Sequence, residues 1–305
     1  SAGLDGFDVR TPPGPSDTVS QAFLRDLFSD DIDGAELVGN NSRWGNFRTR
    51  RTTRWHSGNV VLLGDAVHTA HFSVGSGTKM AMEDAIVLAR EIAALTDDVT
   101  AAFERYERVR QPEVAVVQNA AGPSLSWWEH FGFYYDHLSP LDFAFHFFSR
   151  SIDIERIRRR DPELAGRVES AWHEREGTAP LRTPVSVAGT TLAHRRPTVT
   201  EEDGAFVLRD GAGAHLVSGG ELVEVEAPMD EHDAPSVRVP GDARALLVHG
   251  GTSVSRNVVS ERFRLATGRA SIILDDDVDA AQAATLILSG RADAVARRST
   301  GADDE

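Results

Sequence analysis

Between Gly64 and Lys79 the chain collects one carboxylate, Asp65, a loop of small residues at Ser73, Gly75, Ser76 and Gly77, a hydroxyl at Thr78, and its single lysine, Lys79. The apolar run Val60-Val61-Leu62-Leu63 in front of them reads as a short strand buried on both faces. Gly64-Asp65 ends that strand and sets the carboxylate at its C-terminal edge, where open α/β sheets collect ligands. Ser76 or Thr78 is suited to cap a helix running through Ala81, Ala85, Leu88 and Ala89, whose small side chains allow close packing. The first N–H groups of such a helix have no partners of their own and face whatever electron-rich group lies in front of them. Carboxylate, loop and helix start together suit a ligand with a hydroxylated chain and an edge that can carry negative charge.

Other chemistries fit this stretch less well. A phosphate-binding P-loop needs Gly-Lys followed by Ser or Thr, and here Thr78 precedes Lys79. His68 and His71 form an H-x-x-H, but in a loop and without a third ligand at metal-binding spacing, so no metal is expected. A lone Gly-Asp pair is often only a strand-ending turn, and the length of the pattern that follows argues against that here. Four arginines, Arg48, Arg50, Arg51 and Arg54, lie just upstream. They read either as a solvated sheet face or as guanidinium partners for phosphate groups.

Gly64-Asp65-Ala66-Val67-His68, followed by Gly75-x-Gly77 and Met82-Glu83-Asp84-Ala85, resembles the second flavin-binding motif of the p-hydroxybenzoate-hydroxylase-type FAD monooxygenases. The surrounding wording, with Trp44-Gly45-Asn46-Phe47 and Arg54-Trp55, is most similar to the branch acting on aromatic CoA thioesters, the salicylyl-CoA and anthraniloyl-CoA monooxygenases. The resemblance implies that Gly64 and Asp65 hold the flavin ribityl chain. It also implies that Gly75, Ser76, Gly77, Thr78 and Lys79 face the pyrimidine edge of the ring, which becomes anionic on reduction. His68 and Arg48 are the residues it places as neighbours of flavin or substrate, in catalytic roles. The G-x-G-x-x-G fingerprint that grips the ADP half of FAD in this family occurs nowhere in the chain. The expectation is therefore that the chain is incomplete on its own, or that another polypeptide supplies that grip.

The chain has 305 residues and a formal charge of −15, which speaks against nucleic acid as a partner because phosphate contacts need a basic surface. It has no cysteine, hence no disulfide and no thiolate metal site. No apolar run approaches the roughly 18 residues of a membrane span, so no membrane partner and a cytoplasmic location are expected.

Three segments follow from composition and rhythm. Residues 1–150 read as the monooxygenase segment: a helix over Gln21–Phe28, a turn at Asp33-Gly34, strands over Ala35–Val38 and Trp44–Thr53 belonging to the substrate-domain sheet, and a helix over Asp97–Gln118 broken or kinked by Pro112. Ten aromatic residues between Trp127 and Phe148 read as core or as the wall of an aromatic pocket. Residues 151–178 read as a charged helical arm restarted at Pro162. Residues 179–305 read as a small α/β domain with strands over Ala205–Leu208, Ala214–Val217, Leu222–Glu226, Ala245–Val248, Ser271–Leu274 and Ala292–Ala296 and a helix over Ala280–Leu288. Its βαβαβ end predicts parallel strands.

Pro180-Leu181-Arg182-Thr183-Pro184, Gly250-Gly251 and Gly290–Arg297 resemble the opening and the last strands of an old-yellow-enzyme-like TIM barrel. The segment from 179 to 305 is about half the length that eight βα units take. A truncated remnant or an unrelated small α/β domain is the expectation, and FMN is not expected there. His249-Gly250-Gly251 also has the form of a hydrolase oxyanion loop, but no G-x-S-x-G accompanies it.

The fold class expected is thus α/β: the C-terminal half of an FAD monooxygenase domain followed by that small domain. The function implied is FAD- and NAD(P)H-dependent hydroxylation of an aromatic substrate, an aryl-CoA thioester in the branch resembled, through a flavin hydroperoxide. A homodimer or an N-terminal flavoprotein segment is the protein partner expected. The rival class is a non-catalytic assembly or regulatory partner descended from such an enzyme.

Overall fold

A computed structural model describes residues 17–39 and 47–299. The Asp17 carboxylate accepts from Val19 N–H and Ser20 N–H and so starts α1 (Thr18–Leu27), which a short α2 (Ser29–Ile32) follows. Asp33 (φ 44°) and Gly34 (φ 77°) make the expected turn. The strand expected over Ala35–Val38 does not form, and residues 47–53 run irregularly with a single bridge from Arg51 to His68. The rest of the strand expected from Trp44, residues 44–46, lies outside the described residues.

The strand expected at 60–63 is also corrected. Only β2 (Val60–Val61) is extended, and it pairs antiparallel with β1 (His56–Ser57) across the turn at Gly58. It is neither parallel nor buried on both faces, since Val60, Leu62 and Leu63 are exposed. The neighbour it finds among the described residues is the one the tight turn delivers, and no second strand covers its other edge.

Two long helices carry the first half, α3 (Gly77–Ala94) and α4 (Val99–Glu129). Pro112 does not break α4. The carbonyl its ring leaves without a donor belongs to exposed Arg108, where water can replace the lost bond, while Tyr106, Arg110, Val114 and Gln118 anchor the opposite side. Next come α5 (Phe131–His137), α6 (Pro140–Phe148), α7 (Ile154–Arg160) and α8 (Pro162–Glu176), the last begun by Pro162 as expected. The aromatic residues divide: Trp127, Tyr134 and Phe145 are buried, whereas Trp128, Phe131 and Tyr135 stay at the surface. Helices α7 and α8 are not a free arm. Ile154, Ile157, Leu164, Val168 and Trp172 share a core with Phe145 and with Ile287 and Leu288.

The last part opens with a hairpin, β3 (Val185–Val187) and β4 (Thr190–Leu192), that sequence patterning missed. A seven-stranded sheet follows, made of β5 (Thr198–Glu202), β6 (Ala205–Arg209), β7 (His215–Val217), β8 (Leu222–Glu226), β9 (Ala245–His249), β10 (Ala270–Leu274) and β11 (Ala294–Arg298). Their spatial order is β7-β6-β5-β11-β10-β9-β8. β8, β9, β10, β11 and β5 run parallel, as the βαβαβ rhythm implied, and β6 and β7 add an antiparallel edge.

Strand alternation sorts the side chains. Leu208, Leu222, Leu247, Ile272 and Ala294 meet the hairpin's Val185, Val187 and Leu192 on one face. On the other face Leu246 and Val248 meet α9 (Ser253–Thr267), and Ile273 and Val295 meet α10 (Ala280–Leu288). Gly251 is required after β9: its φ is 53°, and a Cβ there would sit 2.4 Å from the Ala227 carbonyl oxygen.

A buried polar network joins the helices to this domain. His146 Nδ1 accepts from Trp127 Nε1 (2.9 Å), which fixes the proton on Nε2, and Nε2 faces Glu261 Oε2 at 3.0 Å. Tyr134 Oη donates to the other Glu261 oxygen, and Arg291 donates to Ser149 Oγ and the His146 carbonyl. Burial, helped by the Arg291 charge, lowers the His146 pKa from 6.5 to about 4.

The unfolded chain therefore takes up this proton near pH 6.5 and the folded chain only near pH 4, so stability falls as pH drops through that window. The loss expected is on the order of 3 kcal/mol. Urea unfolding at intervals between pH 7 and pH 4 should show it, and a His146→Asn variant should show a flatter slope.

Candidate functional site

Gly64 begins a single 3-10 turn, Gly64–Ala66, with φ +58°, and a Cβ built on it would lie 3.0 Å from the Ala81 Cβ. The glycine is thus needed twice, for the left-handed backbone and for the approach of the turn to the first turns of α3. Its N–H donates to Asp84 Oδ2 at 2.9 Å. The same oxygen lies 2.7 Å from His68 Nε2, and Arg110 Nε donates to Oδ1 at 2.8 Å. Asp84 is fully buried, 0% exposed.

Burial alone would raise the Asp84 pKa, but the bonds from His68, Arg110 and Gly64 outweigh it and hold the carboxyl below its ordinary value. Arg110 also reaches Glu83 (3.2 Å), the Met80 carbonyl (3.4 Å) and Glu113. One carboxylate on α3 thereby ties together the Gly-Asp turn, the following loop and α4.

The loop is held from a second side. Gln118 Nε2 donates to the carbonyls of Arg50 and Thr69, both at 2.8 Å, and Trp55 packs on His68 with ring centroids 5.1 Å apart. Glu107 accepts from Trp55 N–H and bonds His56 Nδ1. His71 accepts from Ser73 N–H and stacks on Phe72. Burial, partly countered by Glu129, lowers its pKa.

The candidate residues named from sequence fall into three groups. Asp65 is exposed, and its carboxylate has no hydrogen bond or ion pair among the described residues. Gly75 (φ 63°) ends a 3-10 turn, Ser76 is the N-cap of α3 without a side-chain cap bond, and its Oγ donates instead to the Val74 carbonyl at 3.1 Å. α3 starts at Gly77, next to the expected Thr78, and the N–H groups of Gly77, Thr78 and Lys79 find no acceptor among the described residues. Lys79 pairs with Glu83 one turn on. His68 is buried, 2% exposed, with Nε2 on Asp84 and Nδ1 without a partner. Arg48 is exposed; its carbonyl accepts from Thr69 Oγ1 at 2.8 Å.

Asp84, quoted from the sequence only within the Met82-Glu83-Asp84-Ala85 phrase, and Arg110 were not among the site residues named from sequence. A signal was present. Met80, Asp84, Leu88 and Glu91 lie on one helical stripe, and an acid in an apolar stripe must be paired if the stripe is buried.

Residues 10–121 match the FAD binding domain family. A free carboxylate on a glycine turn packed against an uncapped helix start is a geometry that suits that class. The chain is 48% identical to salicyloyl-CoA 5-hydroxylase of a Streptomyces species over 309 residues, which cover 96% of this chain and 59% of that enzyme. It therefore spans less than two thirds of that relative's length. It is 42% identical over 106 residues to 3-hydroxy-4-methyl-anthranilyl-[aryl-carrier protein] 5-monooxygenase of Streptosporangium sibiricum, covering 35% of this chain and 30% of that one. Protodeoxyviolaceinate monooxygenase of Chromobacterium violaceum is 36% identical over 115 residues, 37% of this chain and 31% of its own. The resemblance carried by residues 59–88 is borne out: they lie within the span that matches the FAD binding domain family, and these relatives are named as a hydroxylase and two monooxygenases.

Removing the Asp84 carboxylate leaves Arg110 buried without its main partner, so Asp84→Ala should cost about 3–5 kcal/mol. Asp65→Ala, at an exposed and unpartnered position, should stay within about 0.5 kcal/mol of the parent. Chemical unfolding of both variants checks the contrast.

Proposed function

We propose that the chain forms the flavin- and substrate-facing part of an FAD-dependent aromatic monooxygenase that hydroxylates an aryl-CoA thioester. The observation that carries this reading is the free Asp65 carboxylate on a turn packed against a helix start with three unpaired N–H groups. The residues fit FAD. Asp65 would accept from ribityl hydroxyls, and the Gly64 turn leaves no room for a side chain on its α3 side. The amides of Gly77, Thr78 and Lys79, with the positive end of an 18-residue helix behind them, would stabilise negative charge on the ring edge. When bound, FAD supplies the redox chemistry: it accepts hydride from NAD(P)H and activates dioxygen.

The protein's part is to bind, orient and exclude water. Asp84 holds the turn against α3. His68, with its free Nδ1, and Arg48, with its exposed guanidinium, are the side chains proposed to neighbour flavin or substrate. Arg48, Arg50, Arg51 and Arg54 are all exposed on an otherwise acidic chain, which suits the phosphates of CoA. The name of the salicyloyl-CoA relative, whose likeness runs through almost the whole chain, supports the same substrate class.

Residues 179–305 are read as a shortened relative of the old-yellow-enzyme-like domain. The first strand of the sheet, β5, pairs parallel with the last, β11, as closing strands of a barrel would. The loop after β10 carries Asp275, Asp276 and Asp277, which does not suit the phosphate of FMN.

Asp65→Ala tests the flavin assignment. Losing charge-assisted bonds of about 1.5–3 kcal/mol should weaken FAD binding roughly ten- to a hundredfold. Peroxide formed without product should rise, because a loosely held flavin admits water. Asp97→Ala, an exposed acid near the end of α3, is the matched control. FAD titration, with peroxide and hydroxylated product measured on salicyloyl-CoA, anthraniloyl-CoA and the free acids, separates the outcomes. Unchanged affinity and coupling in the Asp65 variant would remove the flavin reading. Turnover of the free acids alone would remove the thioester.

A further inference from the structure

Two guanidinium groups, Arg150 and Arg291, and one carboxylate, Glu261, line one pocket where α4 and the end of α6 meet α9. Glu261, 2% exposed, accepts from Tyr134 and His146 and lies 3.7 Å from Arg291 Nε, so its charge is fully engaged. Arg150 has no acid. Its Nε donates to Ser124 Oγ (3.0 Å), its Nη1 to the Phe147 carbonyl (2.7 Å), and its guanidinium stands 3.9 Å above the Phe147 ring. Burial, and next the Arg291 charge, lower the Arg150 pKa. His146 adds no further positive charge, because the Trp127 bond to Nδ1 keeps it a neutral ring. One positive charge is left over at a half-buried position.

A cavity of about 30 Å³ opens there, lined by Arg150, Arg291, Glu261, Tyr134, Ser126 and Asn257 among others. Ser126 is 7% exposed, and neither its hydroxyl nor the Asn257 amide has a hydrogen-bond partner among the described residues. Asn257 lies near the start of the 15-residue α9, whose N-terminal dipole is positive. The space exceeds the roughly 10–15 Å³ that one water needs, but it is too small for a polyatomic ligand to enter whole.

We infer that this cavity binds a small inorganic monoanion of chloride size, held by Arg150 and Arg291 with Ser126 and Asn257 as neutral donors. The ion balances the unpaired guanidinium and locks the helices onto the α/β domain. Pairing a half-buried guanidinium with an anion favours the folded state, so filling the site should show as stability.

Thermal unfolding in sodium chloride is compared with sodium gluconate at equal ionic strength, since gluconate is too large for the cavity. Above the dissociation constant the midpoint should rise by about 2 °C for each tenfold increase in chloride. Bromide should act likewise. Arg150→Gln should abolish the difference between the two salts, and crystals soaked in bromide should give an anomalous peak beside Arg150. Equal midpoints in chloride and gluconate, or a chloride effect that survives in Arg150→Gln, would overturn the assignment, as would bromide density elsewhere only.

Discussion

Taking the Asp84 carboxylate out of water costs several kcal/mol, and the fold offsets that cost with donors aimed from three separate places. One comes from the Gly64 backbone, one from the His68 ring and one from the Arg110 guanidinium on α4. The geometry of everything proposed to touch flavin follows from this convergence. The turn bearing Asp65 lies against α3 because Asp84 draws its N–H inward and Ala81 leaves room for nothing larger than glycine. α3 begins where it does because Gly75 turns the chain in the left-handed region and Ser76 spends its hydroxyl on Val74, leaving the next amides open.

A second polar centre does for the two halves of the chain what Asp84 does within the first. Trp127, His146, Glu261, Tyr134 and Arg291 form a chain of bonds across sequence separations of more than 100 residues. Such networks are high-stakes: satisfied they fix one arrangement, and partly satisfied they destabilise it. The first centre closes its accounts with Glu83 and Glu113 on either side of Arg110. The second leaves Arg150 without an acid among the described residues, which is why the two invite different expectations about added ions.

What could be read from sequence was local. Gly64, Gly75 and the helix from Gly77 are set by backbone conformation and helical spacing, which the residues themselves carry. The parallel run β9, β10 and β11 was legible for the same reason, each strand being a short apolar block bounded by turns. Errors arose where distant partners decide. Val60–Leu63 has the composition of a central strand, yet half of it is paired and only on one edge. Ala35–Val38 has β-like residues but no neighbour strand among the described residues. Pro112 should stop a helix in isolation and does not stop one anchored by Arg110 and Val114. Asp84 looked like one more helix acid because its three partners lie 16 to 26 residues away.

Hydrogen–deuterium exchange with and without FAD tests the central claim most directly, because it reads the backbone groups themselves. Binding should slow exchange at the amides of Gly77, Thr78 and Lys79, which have no acceptor of their own. The same protection should weaken in Asp84→Asn, where the carboxylate that positions the turn is lost but its shape is kept. Protection confined to other segments, with residues 75–79 exchanging at the same rate in both states, would contradict the placement of the flavin at this helix start.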